Sequence, residues 1–161
     1  VYYIEGNHEI GFQGGSPLRE FNIVKKLKEI GIKVLLDDVT KLDDIYLIGR
    51  KDYVVKKRET LKDLTEPLDT SKPLILLDHQ PHDYELNEQL GIDLQLSGHT
   101  HAGQLFPLNF LFRCIRVNDL NYGIEVMNNF HGIVTSGMGG WGYAMRTAKH
   151  SEIVVVNLKS S

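Results

Sequence analysis

The 161 residues predict an α/β fold in which helices and strands alternate before a β-rich close. Three observations carry that expectation. Short runs of β-branched, aromatic and leucine residues at 1–4, 73–77 and 93–97 each stop at a polar, turn-forming tip. Leu18, Phe21, Val24 and Leu27 recur at helical spacing between the first two runs. From residue 122 onward, further apolar runs follow one another across short turns.

Each element has a local reason. Residues 1–4 read as a buried strand that ends at Gly6-Asn7-His8-Glu9. Ser16 suits an N-cap, Pro17 the first helical position and Gly31 a stop, so one helix is expected between them. Residues 32–36 and 45–48 read as strands, and 58–64 and 84–90 as short helices. The strand at 73–77 leads into Asp78-His79 and is closed by Gln80-Pro81; that at 93–97 leads straight into Gly98-His99-Thr100-His101. Strands are expected again at 122–127, 132–136 and 153–158. There is no internal repeat, and 161 residues suffice for one domain with a sizeable core, so 1–161 is read as a single domain.

Composition removes several functions. Net charge is only −3, and Lys and Glu are spread along the chain, which leaves no footprint for a nucleic acid. The basic cluster Lys56-Lys57-Arg58 precedes Glu59 and reads as a solvated helix entrance. Cys114 is the one cysteine, so no internal disulfide forms and the redox compartment stays open. No run approaches the roughly 18 apolar residues of a membrane span. Localisation is therefore undetermined between cytoplasmic and membrane-associated.

The chemistry concentrates at the strand tips, the edge at which open α/β sheets bind ligands. His99 and His101 are two residues apart and would point to opposite faces of a regular strand. Gly98 and Gly103 bracket them, however, and glycine permits a backbone in which both rings turn toward one place. Either the pair shares a metal or it is a histidine-rich surface turn. Asn7 offers an amide oxygen to a cation, and His8 beside it is a ligand or a proton donor. Asp78-His79 repeats the arrangement on a second strand.

The succession Gly-Asn-His-Glu, Leu-Leu-Asp-His-Gln-Pro and Ser-Gly-His-Thr-His-Ala-Gly-Gln-Leu-Phe-Pro resembles the calcineurin-like metallophosphoesterase superfamily. Its extension, Ala102 to Pro107, resembles the membrane-associated bacterial branch of phosphodiesterases and UDP-2,3-diacylglucosamine pyrophosphatase-like enzymes. The resemblance runs from Val1 to about Leu158. It implies a four-layer α/β/β/α sandwich, of which this chain is the carboxyl-terminal portion without the opening strands and helices. It also implies a binuclear centre, with Asn7, His79 and His99 on the second metal and His101 on the first.

Two motifs of that family are absent: Asp-x-His, and Gly-Asp-x-x-Asp with its bridging carboxylate. Cations about 3.5–4 Å apart need bridging anions to offset their repulsion, and Asn7, His79 and His99 are neutral. The expectation is thus two divalent ions, Mn, Fe or Zn, in the intact enzyme, at most one on this chain, and little activity from it alone. Such a piece is expected to self-associate or to stay bound to the missing amino-terminal part. The mechanism implied by resemblance is in-line attack on phosphorus by a hydroxide held between the metals, with His8 either protonating the leaving oxygen or stabilising the transition state. Glu9 is read either as a group orienting His8 or as a plain exposed acid.

Other side chains carry two readings. His82 is a substrate contact or an exposed residue after Pro81; His131 and His150 read as surface. The loop Gly137 to Tyr143 lacks the ending of a phosphate loop, and Arg146 beside it is a candidate phosphate contact. Residues 105–112 either shape an acyl groove or membrane-touching lip, or lie in the core. The favoured partner is a small-molecule or lipid-linked phosphoester, with peripheral membrane contact. The competing readings are a non-catalytic metal- or partner-binding module and a phosphoprotein monoesterase.

Overall fold

Parallel pairing of the apolar runs dominates the architecture. A computed structural model describes residues 1–11, 22–115, 117–142 and 145–159. The expected helix start at Ser16 and Pro17, with Leu18 and Phe21, lies outside them. Among the described residues a helix begins at Ile23, capped by Asn22, whose side chain accepts the Lys25 N–H at 3.2 Å.

In chain order the elements are β1 (Tyr2–Tyr3), α1 (Asn7–Ile10), α2 (Ile23–Glu29), β2 (Lys33–Val34), β3 (Asp38–Leu42), β4 (Ile45–Gly49) and α3 (Leu61–Thr65). They continue with β5 (Leu74–Leu77), α4 (Tyr84–Gln89), β6 (Leu94–Ser97), a 3₁₀ turn (His101–Gly103), α5 (Leu108–Ile115), β7 (Gly123–Met127) and β8 (Phe130–Val134). The fold is mixed α/β, as the sequence predicts. Among the described residues the strands form two sheets. One is the parallel pair β1-β2; the other runs β3-β4-β5-β6-β8-β7. In the larger sheet β4, β5, β6 and β8 are mutually parallel, and antiparallel hairpins close both edges. Asp43 and Asn128 take left-handed φ values of 50° and 45° at the two hairpin turns, which Asp and Asn tolerate.

Alternation along β5 sorts its side chains between the faces. Leu74 and Leu76 are fully buried, whereas Ile75 and Leu77 are half-buried. The buried face packs Ile48, Leu74, Leu76 and Phe130 against Leu61 of α3, Tyr84 of α4 and Ile92. Each such side chain contributes about 1.5–3 kcal/mol of burial, so this layer fixes the sheet whose tips carry the site. The two sheets meet at Gly49. A Cβ there would lie 2.2 Å from Leu35 Cβ and 3.0 Å from Ile4 Cγ2, so only glycine lets β1-β2 close onto β4.

Several expectations are corrected. The helix expected at 58–64 starts at Leu61, because Thr60 caps it by accepting the Asp63 N–H at 3.2 Å. Arg58 is not at a solvated entrance: its side chain is 9% exposed and paired with Asp78. Residues 153–158 form no strand; Ile153 and Val155 are exposed, and the segment has no ladder partner among the described residues. β-propensity without a partner strand does not make a strand. The core reading of residues 105–112 is corrected at Phe106, Leu108, Phe110 and Leu111, which are exposed, and residues 108–115 form α5. No described helix is long and apolar enough to cross a membrane.

Candidate metal centre

β1, β5 and β6 all deliver their carboxyl ends to one edge. The loops beyond them meet on the amide oxygen of Asn7. His79 Nε2 lies 3.1 Å from Asn7 Oδ1, and His99 Nδ1 lies 3.2 Å from the same atom. The two rings stand edge to face with centroids 5.3 Å apart. The backbone ties their loops together, with the Gly98 N–H donating to the His79 carbonyl at 3.0 Å. Gly6 allows this approach: a Cβ there would sit 2.8 Å from the His79 ring. Glu9 does not reach back to His8; its Oε2 accepts the Gly6 N–H at 2.8 Å and closes the first turn of α1.

Glycine was the reason to expect an irregular backbone after β6, yet the left-handed residues are largely others. His99, His101, Ala102 and Gln104 have φ of 66°, 50°, 52° and 41°. Each costs about 1–2 kcal/mol, which the surrounding contacts must offset. His101 lines the same cavity as Asn7, His8 and His99. Its Nδ1 is buried and lacks a hydrogen-bond partner among the described residues.

Burial holds these imidazoles neutral. It pushes the His99 pKa down to about 4, helped by the nearby His79. It lowers His79 against the opposing charges of Asp52 and Glu9, and lowers His101 against a hydrogen bond to the Gly139 backbone. Neutral imidazole is the form that ligates a metal.

Directly behind His79 lies a cluster that the sequence did not reveal. Asp78 Oδ2 pairs with Arg58 and, at 3.6 Å, with Arg50, while Gln80 Nε2 donates to Asp52 Oδ1 at 2.9 Å. Asp52, Asp78, Arg50 and Gln80 are all buried. Burial pushes the Asp78 carboxyl up to about 6, against the opposing pull of both guanidinium groups. The one hint in the sequence was Asp78 itself, an acid at the end of an apolar run.

On the other side stands the rim. Arg146 donates to the carbonyls of His101 (3.2 Å), Ser136 (3.1 Å) and Gly139 (2.6 Å) and so holds the 137–142 loop over the site. His82 packs at a tilt against Tyr53 with centroids 4.7 Å apart, and His131 and His150 are exposed. His8 is exposed at the mouth of a cavity of about 400 Å³.

With metal–ligand bonds of roughly 2.1 Å, adjacent donors would sit roughly 3.0–3.4 Å apart, and each imidazole nitrogen lies within that range of Asn7 Oδ1, so these three side chains could hold one cation. Among the described residues no group of three or more His, Cys, Asp or Glu is placed to hold a metal.

Residues 1–103 match the family described as calcineurin-like phosphoesterase. The chain is 37% identical over 164 residues to an uncharacterized metallophosphoesterase of Helicobacter pylori, covering 98% of this chain and 42% of that protein. An uncharacterized metallophosphoesterase of Aquifex aeolicus is 30% identical over 165 residues, 98% of this chain and 60% of its own. A transmembrane protein with metallophosphoesterase domain from Danio rerio is 44% identical over 95 residues, 57% of this chain and 21% of its own. The chain thus spans about two fifths of the length of the Helicobacter relative. No solved structure matches it significantly.

Proposed function

We propose, from the premise that this chain belongs to the calcineurin-like phosphoesterase family, that it supplies the neutral half of a two-metal centre hydrolysing phosphodiester or pyrophosphate bonds. The carrying observation is the single amide oxygen of Asn7 shared by His79 and His99. Members of the family generally use divalent metals. Asn7, His79 and His99 would hold one ion, with His101 beside them serving the other. A divalent Mn, Fe or Zn ion there supplies Lewis acidity toward the phosphoryl oxygens.

The chain's own residues do the rest. His8, exposed at the cavity mouth, gives a proton to the departing oxygen. Arg146 has five N–H donors and spends three on carbonyls, which leaves donors for a phosphoryl oxygen. The left-handed backbone at His99 and His101 pre-sets both histidines, so little reorganisation is needed when substrate arrives. Lipid-linked phosphoesters are the favoured substrates, and exposed Phe106, Phe110 and Leu111 are the surface for peripheral membrane contact. The transmembrane relative supports that reading.

The test is elemental analysis and turnover, side by side, on the full-length protein and its His8→Ala variant. Turnover should fall by about 10²–10⁴ with bound metal unchanged. Loss of metal in the variant overturns the role given to His8, and a metal-free wild type overturns the centre. Paired aryl phosphodiester and phosphomonoester assays separate diesterase from monoesterase.

A further inference from the structure

The cavity beside the donor cluster is lined by two kinds of side chain. Asn7, His8, His99 and His101 share it with the apolar Leu105, Leu108, Val117 and Trp141. About 400 Å³ is at the small end for ligand pockets, room for one substituent and not a whole lipid.

Trp141 is exposed, but its backbone is fixed. The Trp141 N–H donates to Gln104 Oε1 at 2.6 Å, and Gln104 Nε2 donates to the carbonyls of Trp141 at 2.8 Å and Met145 at 3.0 Å. Gln104 is itself buried and held at a left-handed φ of 41°. A strained, buried amide thus grips the main chain of a large exposed aromatic residue, at a cost that core packing does not recover. An aromatic platform on a rigid backbone binds apolar groups with little loss of conformational freedom.

We propose that this cavity is the subsite for an apolar alkyl or aryl group esterified to the phosphate, with Trp141 as its wall and the specificity-determining residue. The proposal rests on the phosphoesterase reading and names the class of ester that the same centre takes. Charge supports it: among the described residues lining the cavity there is no Asp, Glu, Lys or Arg, so nothing in its wall opposes an apolar group.

Trp141 is the one tryptophan of these residues, so its emission, isolated in the full-length protein as the difference between wild type and Trp141→Phe, reports the site without any turnover. The protein is titrated with methyl phosphate, octyl phosphate and octanol. Octyl phosphate should shift emission to shorter wavelength, saturate, and bind on the order of 100-fold tighter than methyl phosphate, as burial of three or four methylenes gives. Competition against a fluorescent octyl phosphate should show Trp141→Ala losing most of that preference and Trp141→Phe keeping it. Equal binding of the two phosphates, or octanol binding as tightly as octyl phosphate, overturns the subsite. Selective binding of octyl phosphate by a protein that hydrolyses no phosphoester overturns the hydrolase reading and leaves the subsite standing.

Discussion

Asp78 and His79 are consecutive, yet they face two different environments. Asp78 turns into a closed, charged cluster with Arg50, Arg58, Asp52 and Gln80. His79 turns the other way, into an open cluster of neutral donors with Asn7 and His99. Both sit on the same strand tip, so position on the sheet does not separate them. What does is the kind of partner each side chain meets. The closed side anchors the tip by ion pairing, whereas the donors of the open side are neutral and feel Asp52 and Glu9 only as neighbouring charges.

The sharpest way to break this comparison is to truncate each side by one residue. Asp78→Ala leaves two buried guanidinium groups without their shared carboxylate, which costs about 3–5 kcal/mol, a large share of the roughly 5–15 kcal/mol that folded domains possess. His99→Ala removes one hydrogen bond from a half-buried neutral group and should cost about 0.5–1.5 kcal/mol. Equilibrium urea unfolding of both variants decides it. If the two lose similar stability, the charged cluster is not an anchor.

The open side was legible in the sequence because its members end apolar runs: Asn7 follows the first, His79 the second and His99 the third. The closed side was not, because Arg50, Asp52 and Arg58 lie in a stretch of alternating charge that reads as solvated, and only the return of residues 50–59 beneath β5 buries them. β3 was missed for a related reason. Asp38-Val39-Thr40-Lys41-Leu42 alternates weakly, and the turn signal was Asp43-Asp44, a pair that tolerates left-handed geometry. Residues 153–158 failed in the opposite direction: strong propensity with no partner strand among the described residues.

A smaller effect sharpens the contrast from inside the open cluster. Gly6→Ala places a methyl within 2.8 Å of the His79 ring and displaces it from Asn7 Oδ1, leaving the Asp78 ion pairs intact. Disturbing the orientation of one ligand commonly costs about 10–100-fold in metal affinity. Competition with a chromophoric chelator should show that loss. Unchanged affinity would mean that the site does not depend on the Asn7–His79 contact.

The smallest effect concerns a second carboxylate, treated oppositely by its surroundings. Asp78 is pushed up by burial, whereas Glu152 is held below its ordinary value of 4.5, chiefly by the Ser136 N–H at 2.9 Å, and by Tyr122 and Thr135. These bonds pin the chain after residue 151 to the end of β8. Because the folded pKa lies below the unfolded one, the unfolded chain takes up the proton first as pH falls. The contribution of Glu152 is therefore complete above pH 4.5 and drains away below it. Glu152→Gln should lower the melting temperature slightly at pH 7, by less than any change above, and the gap to wild type should close as pH drops through 4.5. A gap independent of pH would assign the tether to packing, and the contrast between the two carboxylates would then rest on Asp78 alone.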